Sequence, residues 1–171
     1  KRMYLLLSSL VRGLLEVFNG GDIEFLSDNE ERESEVDSLL HLVERQVRIV
    51  FESYQAATKL NITRGQSMEY ANLARCLERM MDHANNMTHF VVAHTNHINE
   101  LRISPPVSSL PLWQEALKEL MINIRTQDSH RIETARHQLK TLQTELKAFE
   151  SSVYESEKKS RLLAASLTVS E

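Results

Sequence analysis

Apolar residues recur along this chain at three- and four-residue intervals, the period of helices with one buried face. A first helix is predicted over 2–18, with Leu7, Leu10, Leu14, Val17 and Phe18 as its stripe. NGGD (19–22) ends it, Gly20 or Gly21 serving as the residue after the cap. A second helix starts at Ser27 or Asp28, both good N-caps, and runs to about Leu60 on Val36, Leu40, Val43, Val47, Val50, Tyr54 and Ala57. NITRG (61–65) is the turn into a third helix, from about Gln66 to Arg102, with Tyr70, Leu73, Leu77, Met80, Ala84, Met87, Val91, His94 and Ile98 on one side. About 35 residues of helix span ~50 Å, so the bundle is expected to be elongated. The Pro-rich SPPVSSLPLW (104–113) marks a boundary between halves. Two more helices follow, over 109–126 (Trp113, Leu117, Leu120, Ile124) and 128–165 (Ile132, Leu139, Leu142, Leu146, Phe149, Val153). The expectation is an all-α fold, with a three-helix unit over 1–103 and a second unit over 104–171 that shows two helices and lacks a sixth. Each half reads as a short helix, a break carrying Asp (Asp22, Asp128) and a long helix, a weak internal repeat.

Composition narrows the class. With 42% hydrophobic and 26% charged residues the chain can bury a core and stay soluble, and 4 Gly and 3 Pro leave little turn chemistry for an all-β fold. A net charge of −4 gives no case for nucleic acid as a direct ligand. The single cysteine, Cys76, rules out an internal disulfide framework and fits a reducing compartment. No apolar run approaches the ~20 residues of a membrane span; YLLLSSLVRGLLEVF (4–18) is interrupted by Arg12 and Glu16 and reads as a core helix rather than a signal peptide. The first residue is Lys1 rather than Met and SLTVSE carries no helix stop, so both ends are expected to be cut from a longer chain.

The acids carry the candidate chemistry. SDNEERESEVD (27–37) holds Asp28, Glu30, Glu31, Glu33, Glu35 and Asp37 against Arg32 alone. Acids in a first turn gain ~0.3–1 kcal/mol each from the helix dipole, which accounts for some of them. Glu33 and Asp37, however, lie one turn apart at the edge of the core face, and Glu78 and Asp82 repeat that spacing on the next helix beside Leu77 and Met81. Two such turns could bring four carboxylates to a divalent or trivalent cation. The competing reading is that Arg75 and Arg79, three residues before Glu78 and Asp82, neutralise them as surface ion pairs. Register cuts against the simplest metal model: with a turn centred near residue 63, Asp37 falls opposite about residue 89, an offset of ~10 Å from Asp82, so the pairs are expected to bind separate ions, an elongated cluster or acids of another chain unless a long overhanging turn corrects the offset.

LERMMDHANNM (77–87) resembles the third-helix signature of the PhoU phosphate-signalling family, and ESEVDSLLHLVERQV (33–47) is similar to its second-helix segment, closest to archaeal members with an N-terminal AbrB-like DNA-binding domain, so DNA binding is not expected of residues 1–171 themselves. The resemblance covers most of 1–102. It implies an elongated pair of three-helix bundles and a cytoplasmic regulator, not an enzyme. Such a regulator contacts the ATPase of the phosphate ABC transporter and its sensor kinase and represses phosphate uptake when phosphate is ample; a homodimer is a further candidate assembly of this chain. It also implies metal, iron or zinc, on the E/D-x-x-x-D motifs, which carries over to Glu33, Asp37, Glu78 and Asp82; His83 and Asn86 are neighbours and are not assigned as ligands. In the second half the positions matching Glu33 and Asp37 are Leu139 and Gln143, with Glu133 and His137 as the nearest substitutes, so one metal site is expected.

Other tempting residues point elsewhere. His94 lies on the apolar stripe and is expected to be a hydrogen-bonded core histidine, Cys76 a small buried residue, and Met80, Met81 and Met87 core filler. None of the seven histidines has Glu three residues before it, which excludes the ligand pattern of a di-iron oxidase bundle, and there is no Gly-rich phosphate loop. The alternative to a metal-dependent regulator is a metal-free helical module whose acidic face docks a basic partner.

Overall fold

Leu10 and Leu14 are 0% and 1% exposed, and around them Met3, Leu6, Leu7, Val17 and Phe18 bury one side of α1, Arg2–Phe18, in the computed structural model of this protein. The structure describes residues 1–95, 105 and 107–168, with side chains to residue 156. The end of α1 follows the predicted glycine logic. Gly20 takes φ +91, its amide bonds Val17 O, and Gly21 N bonds Glu16 O at 2.8 Å. These are the two bonds of a Schellman motif, which a residue with a Cβ forms only under strain.

A 3₁₀ turn, Ile23–Leu26, capped by Asp22, drops Leu26 (2% exposed) into the core and packs its backbone on Gly13. A Cβ at Gly13 would lie 3.0 Å from Phe25 O, so any larger residue there would push the turn back by a few tenths of an ångström. Next come α2, Asn29–Glu52, α3, Tyr54–Leu60, and α4, Arg64–Ala93. α1 packs on both α2 and α4, and α2 packs along α4. These three long helices enclose Leu10, Val36, Met81 and Val91, each 0–1% exposed.

Two boundaries differ from the pattern-based reading. The second helix does not run unbroken to Leu60. Ser53 is extended (φ −130, ψ 111), and its hydroxyl caps the new helix by accepting from Ala56 N at 3.2 Å. The predicted stripe stops there, and Tyr54 is 81% exposed. The third helix starts at Arg64 with a capping box between Thr63 and Gln66, and ends at Ala93; the predicted extension from residue 96 to Arg102, with Ile98 and His97, lies outside the described residues.

α4 is also rotated from the predicted stripe. Its buried residues are Ser67, Ala71, Ala74, Leu77, Met81, Ala84, Asn85, Thr88 and Val91, while Tyr70 is 52% exposed. Small residues let the backbones of neighbouring helices approach, so size outranked hydrophobicity in choosing the buried face. His94, expected in the core, is exposed; its Nδ1 sits 2.8 Å from Phe90 O and its ring stacks on Phe90. Cys76, expected to be buried, is exposed.

The chain divides into compact units Lys1–Asn99 and Glu100–Glu171; the boundary expected at 103/104 falls among residues outside those described. The second unit holds α5, Leu110–Thr126, and α6, Ser129–Thr168. Gln127 turns between them in the left-handed region (φ 58), and Asp128 Oδ1 caps α6 by accepting from Arg131 N at 3.1 Å. A turn this short makes the two helices antiparallel neighbours. Val107, Ala116, Asn123, Ala135 and Leu142 are buried there, and Trp113, Leu117, Leu120 and Ile124 are half-buried. All secondary structure among the described residues is helical, the all-α class that the periodicity predicts, and no helix among them is long and apolar enough to cross a membrane.

Candidate metal centre

The seam between α2 and α4 is apolar at its centre and acidic at its rim. Val36 is 1% exposed and its neighbour Asp37 stands outside it; on α4, Leu77 and Met81 are buried while Glu78 and Asp82, one step further round, are half-buried. Helical spacing puts Glu78 and Asp82 on the same face, one turn apart. Packing brings Asp37 across to them, so that one carboxylate oxygen from each of Asp37, Glu78 and Asp82 lies within 4.8 Å of the other two. Among the described residues this is the one group of three or more acidic, histidine or cysteine side chains that converges in this way.

The break at Ser53 explains why the offset of ~10 Å expected from an unbroken hairpin is absent. Arg75 Nη2 reaches Glu44 at 3.0 Å and Arg64 Nη2 reaches Phe51 O at 3.0 Å, contacts that centre the α2–α4 pairing on about residue 58 or 59 rather than 63. The helix break at Ser53 takes α3 out of the pairing, and the residue opposite Asp37 moves from 89 to about 80, between Glu78 and Asp82. Asp37 therefore faces Glu78 and Asp82 instead of residue 89.

Of the two expected arginine partners, Arg75 turns elsewhere and Arg79 makes no ion pair with these acids. Arg75 binds Glu44 and, through Nη1, Asn72 Oδ1 at 3.3 Å. None of the ion pairs among the described residues involves Asp37, Glu78 or Asp82. The cost appears in the electrostatics of Glu78, whose carboxyl is pushed above its ordinary value by burial first, then by Asp82 and Asp37, with Arg79 only partly opposing them.

Glu33, the fourth predicted acid, is not in the converging group. Its carboxylate accepts from Asn85 Nδ2, and Asn85 Oδ1 in turn accepts from Asn29 Nδ2. Asn29 and Asn85 are 8% and 5% exposed, so this is a buried amide relay running from α2 to α4 and back. Burial raises the Glu33 carboxyl, Asp82 and Asp37 add to the shift, and His89 works against it. Sequence reasoning named His83 and Asn86, both exposed, and passed over Asn85. The available signal was spacing: Asn85 is seven residues after Glu78 and three after Asp82, on the face those acids define.

Three carboxylates with no histidine or cysteine among them are hard oxygen donors. They fit a hard divalent or trivalent cation, which would neutralise the charge that Arg79 offsets only in part. In the second unit Glu133 is engaged by Arg136 at 3.1 Å, and His137 lines a shallow groove of about 300 Å³ with Leu112, Ala116 and Leu142, among others.

Comparison with curated proteins gives no match, and comparison with solved structures gives none. A family model described as the PhoU domain matches residues 1–91, more than half of the 171-residue chain, and spans α1, α2, α3, nearly all of α4 and all four candidate acids. With that match and this helical architecture, the chain belongs to the PhoU family, which is associated with phosphate signalling and its regulation.

Proposed function

We propose that this protein regulates phosphate uptake by contact with other proteins, and that a cation held between α2 and α4 sets the shape it presents to them. The observation that carries this reading is the convergence of Asp37, Glu78 and Asp82 inside the matched PhoU region. Asp37 from α2 and Glu78 and Asp82 from α4 would hold the cation, with iron or zinc as the candidates the family resemblance implies. When bound, the cation supplies charge neutralisation at the seam. Without it the three acids repel across the contact that joins the two helices, so the free energy of binding would be spent in fixing their relative position.

The partners that fit this role are the ATPase of the phosphate ABC transporter and the sensor kinase that reports phosphate supply, with a homodimer as an assembly state. The site of action is the cytoplasm, where those two partners expose their surfaces. The protein works as a regulator and not as an enzyme, with uptake repressed when phosphate is ample.

Uptake of labelled phosphate tests this. Cells lacking the protein are expected to keep importing phosphate in phosphate-rich medium, wild type to restore the shut-off, and Asp37→Asn/Glu78→Gln/Asp82→Asn to leave it unrestored. Uptake that is the same with and without the protein would overturn the regulatory reading; full restoration by the triple variant would remove the carboxylates from it.

A further inference from the structure

We propose that Asn85 withholds Glu33 from the cation, making the site a three-carboxylate centre whose affinity is set by a buried amide. This rests on the metal reading given above. The relay has a fixed polarity. Asn85 has one carbonyl and one NH₂ at its tip, and both are engaged: the carbonyl accepts from Asn29 and the NH₂ donates to Glu33. Flipping the Asn85 amide would aim its carbonyl oxygen at a carboxylate, acceptor against acceptor. The negative charge of Glu33 therefore orients Asn85, and Asn85 orients Asn29.

Asn29 and Glu33 are four residues apart on α2, so they stand one turn above the other and Asn85 enters between them from α4. Freeing Glu33 to join Asp37, Glu78 and Asp82 would strand the Asn85 NH₂ at a position only 5% exposed to water. A buried donor left without an acceptor opposes that movement. Glu33 then acts on a cation only through space, as a nearby fourth negative charge, and Asn85 is the positioning residue that keeps it there.

Titration of purified protein with manganese(II), following the free ion by electron paramagnetic resonance, separates the cases. Glu33→Gln keeps an oxygen for Asn85 to donate to and loses only charge, so its affinity is expected to fall by less than about tenfold. Glu78→Gln removes a ligand and is expected to cost more than ~100-fold, beyond what loss of an outer partner does. Asn85→Ala releases Glu33 and is expected to bind more tightly than wild type, with circular dichroism confirming retained helix. A loss in Glu33→Gln as large as in Glu78→Gln would make Glu33 a ligand and overturn the proposal. Binding in Asn85→Ala no tighter than in wild type would overturn the role of the amide. A wild type that binds no manganese, iron or zinc would instead remove the metal reading itself, and this proposal with it.

Discussion

At Glu78 a half-buried carboxylate stands beside two others of the same sign, and that local conflict has a pH signature. Burial and the neighbours Asp82 and Asp37 hold its folded-state carboxyl above the ordinary 4.5. A carboxyl raised on folding favours the folded state most when protonated, so its contribution is full below about pH 4.5 and is lost as pH rises through the folded value. In chelator-treated protein, Glu78→Gln should therefore gain on wild type in melting temperature between about pH 4.5 and 7. A melting difference independent of pH would place the origin of the conflict elsewhere. Added cation should reverse the order at neutral pH, because it binds the folded wild type and not the variant. Arg2 and Glu35, bonded at 2.7 Å, act in the opposite direction: the exposed Glu35 carboxyl is lowered, so what it adds is present above its ordinary value and fades as pH falls. The E-x-x-x-D spacing was legible in the sequence because helical geometry alone puts those acids on one face. The part played by Asn85 was not, because a buried amide's function depends on what lies across the seam from it.

The helices were legible as elements to different degrees. α1 carries its core on large aliphatic side chains, so periodicity identifies its buried face directly. α4 hides Ser67, Ala71, Ala74 and Thr88, and a reading weighted by hydrophobicity turns the helix toward Tyr70 and Met80 instead. Adjacent methionines test the corrected face. Met81 is 0% exposed and its replacement by Ala should cost ~2–5 kcal/mol in chemical denaturation, whereas half-buried Met80 should cost well under half as much. Equal losses would mean that α4 packs as the stripe first suggested. The interruption at Ser53 was invisible for a different reason. Neither Pro nor Gly marks it, and the hydroxyl cap to Ala56 N is a bond that any serine could make. Ser53→Ala should destabilise by ~0.5–2 kcal/mol, read in the same denaturation series. That cap matters beyond its own energy, because the register that brings Asp37 to Glu78 and Asp82 depends on α3 leaving the line of α2.

For the whole molecule, the acids connect helices that are distant in sequence. Asp37 precedes the α3 turn and Glu78 and Asp82 follow it, so a cation at the three would bridge α2 and α4, the most extensively packed pair of helices in the first unit, and α1 packs on both. The second unit offers no comparable cluster among its described residues: Leu139 and Gln143 stand where the repeat would put acids, and Glu133 is paired with Arg136. Regulation by this account lives in the first unit, within the region that matches the PhoU domain. The most direct test is the metal content of tag-free protein by mass spectrometry, with wild type beside Asp37→Asn/Glu78→Gln/Asp82→Asn. The account predicts stoichiometric iron, or zinc, in wild type and none in the triple variant at equal helix content. Metal absent from wild type even after loading with either ion would contradict it, and would leave the acids as a negatively charged face for a basic partner.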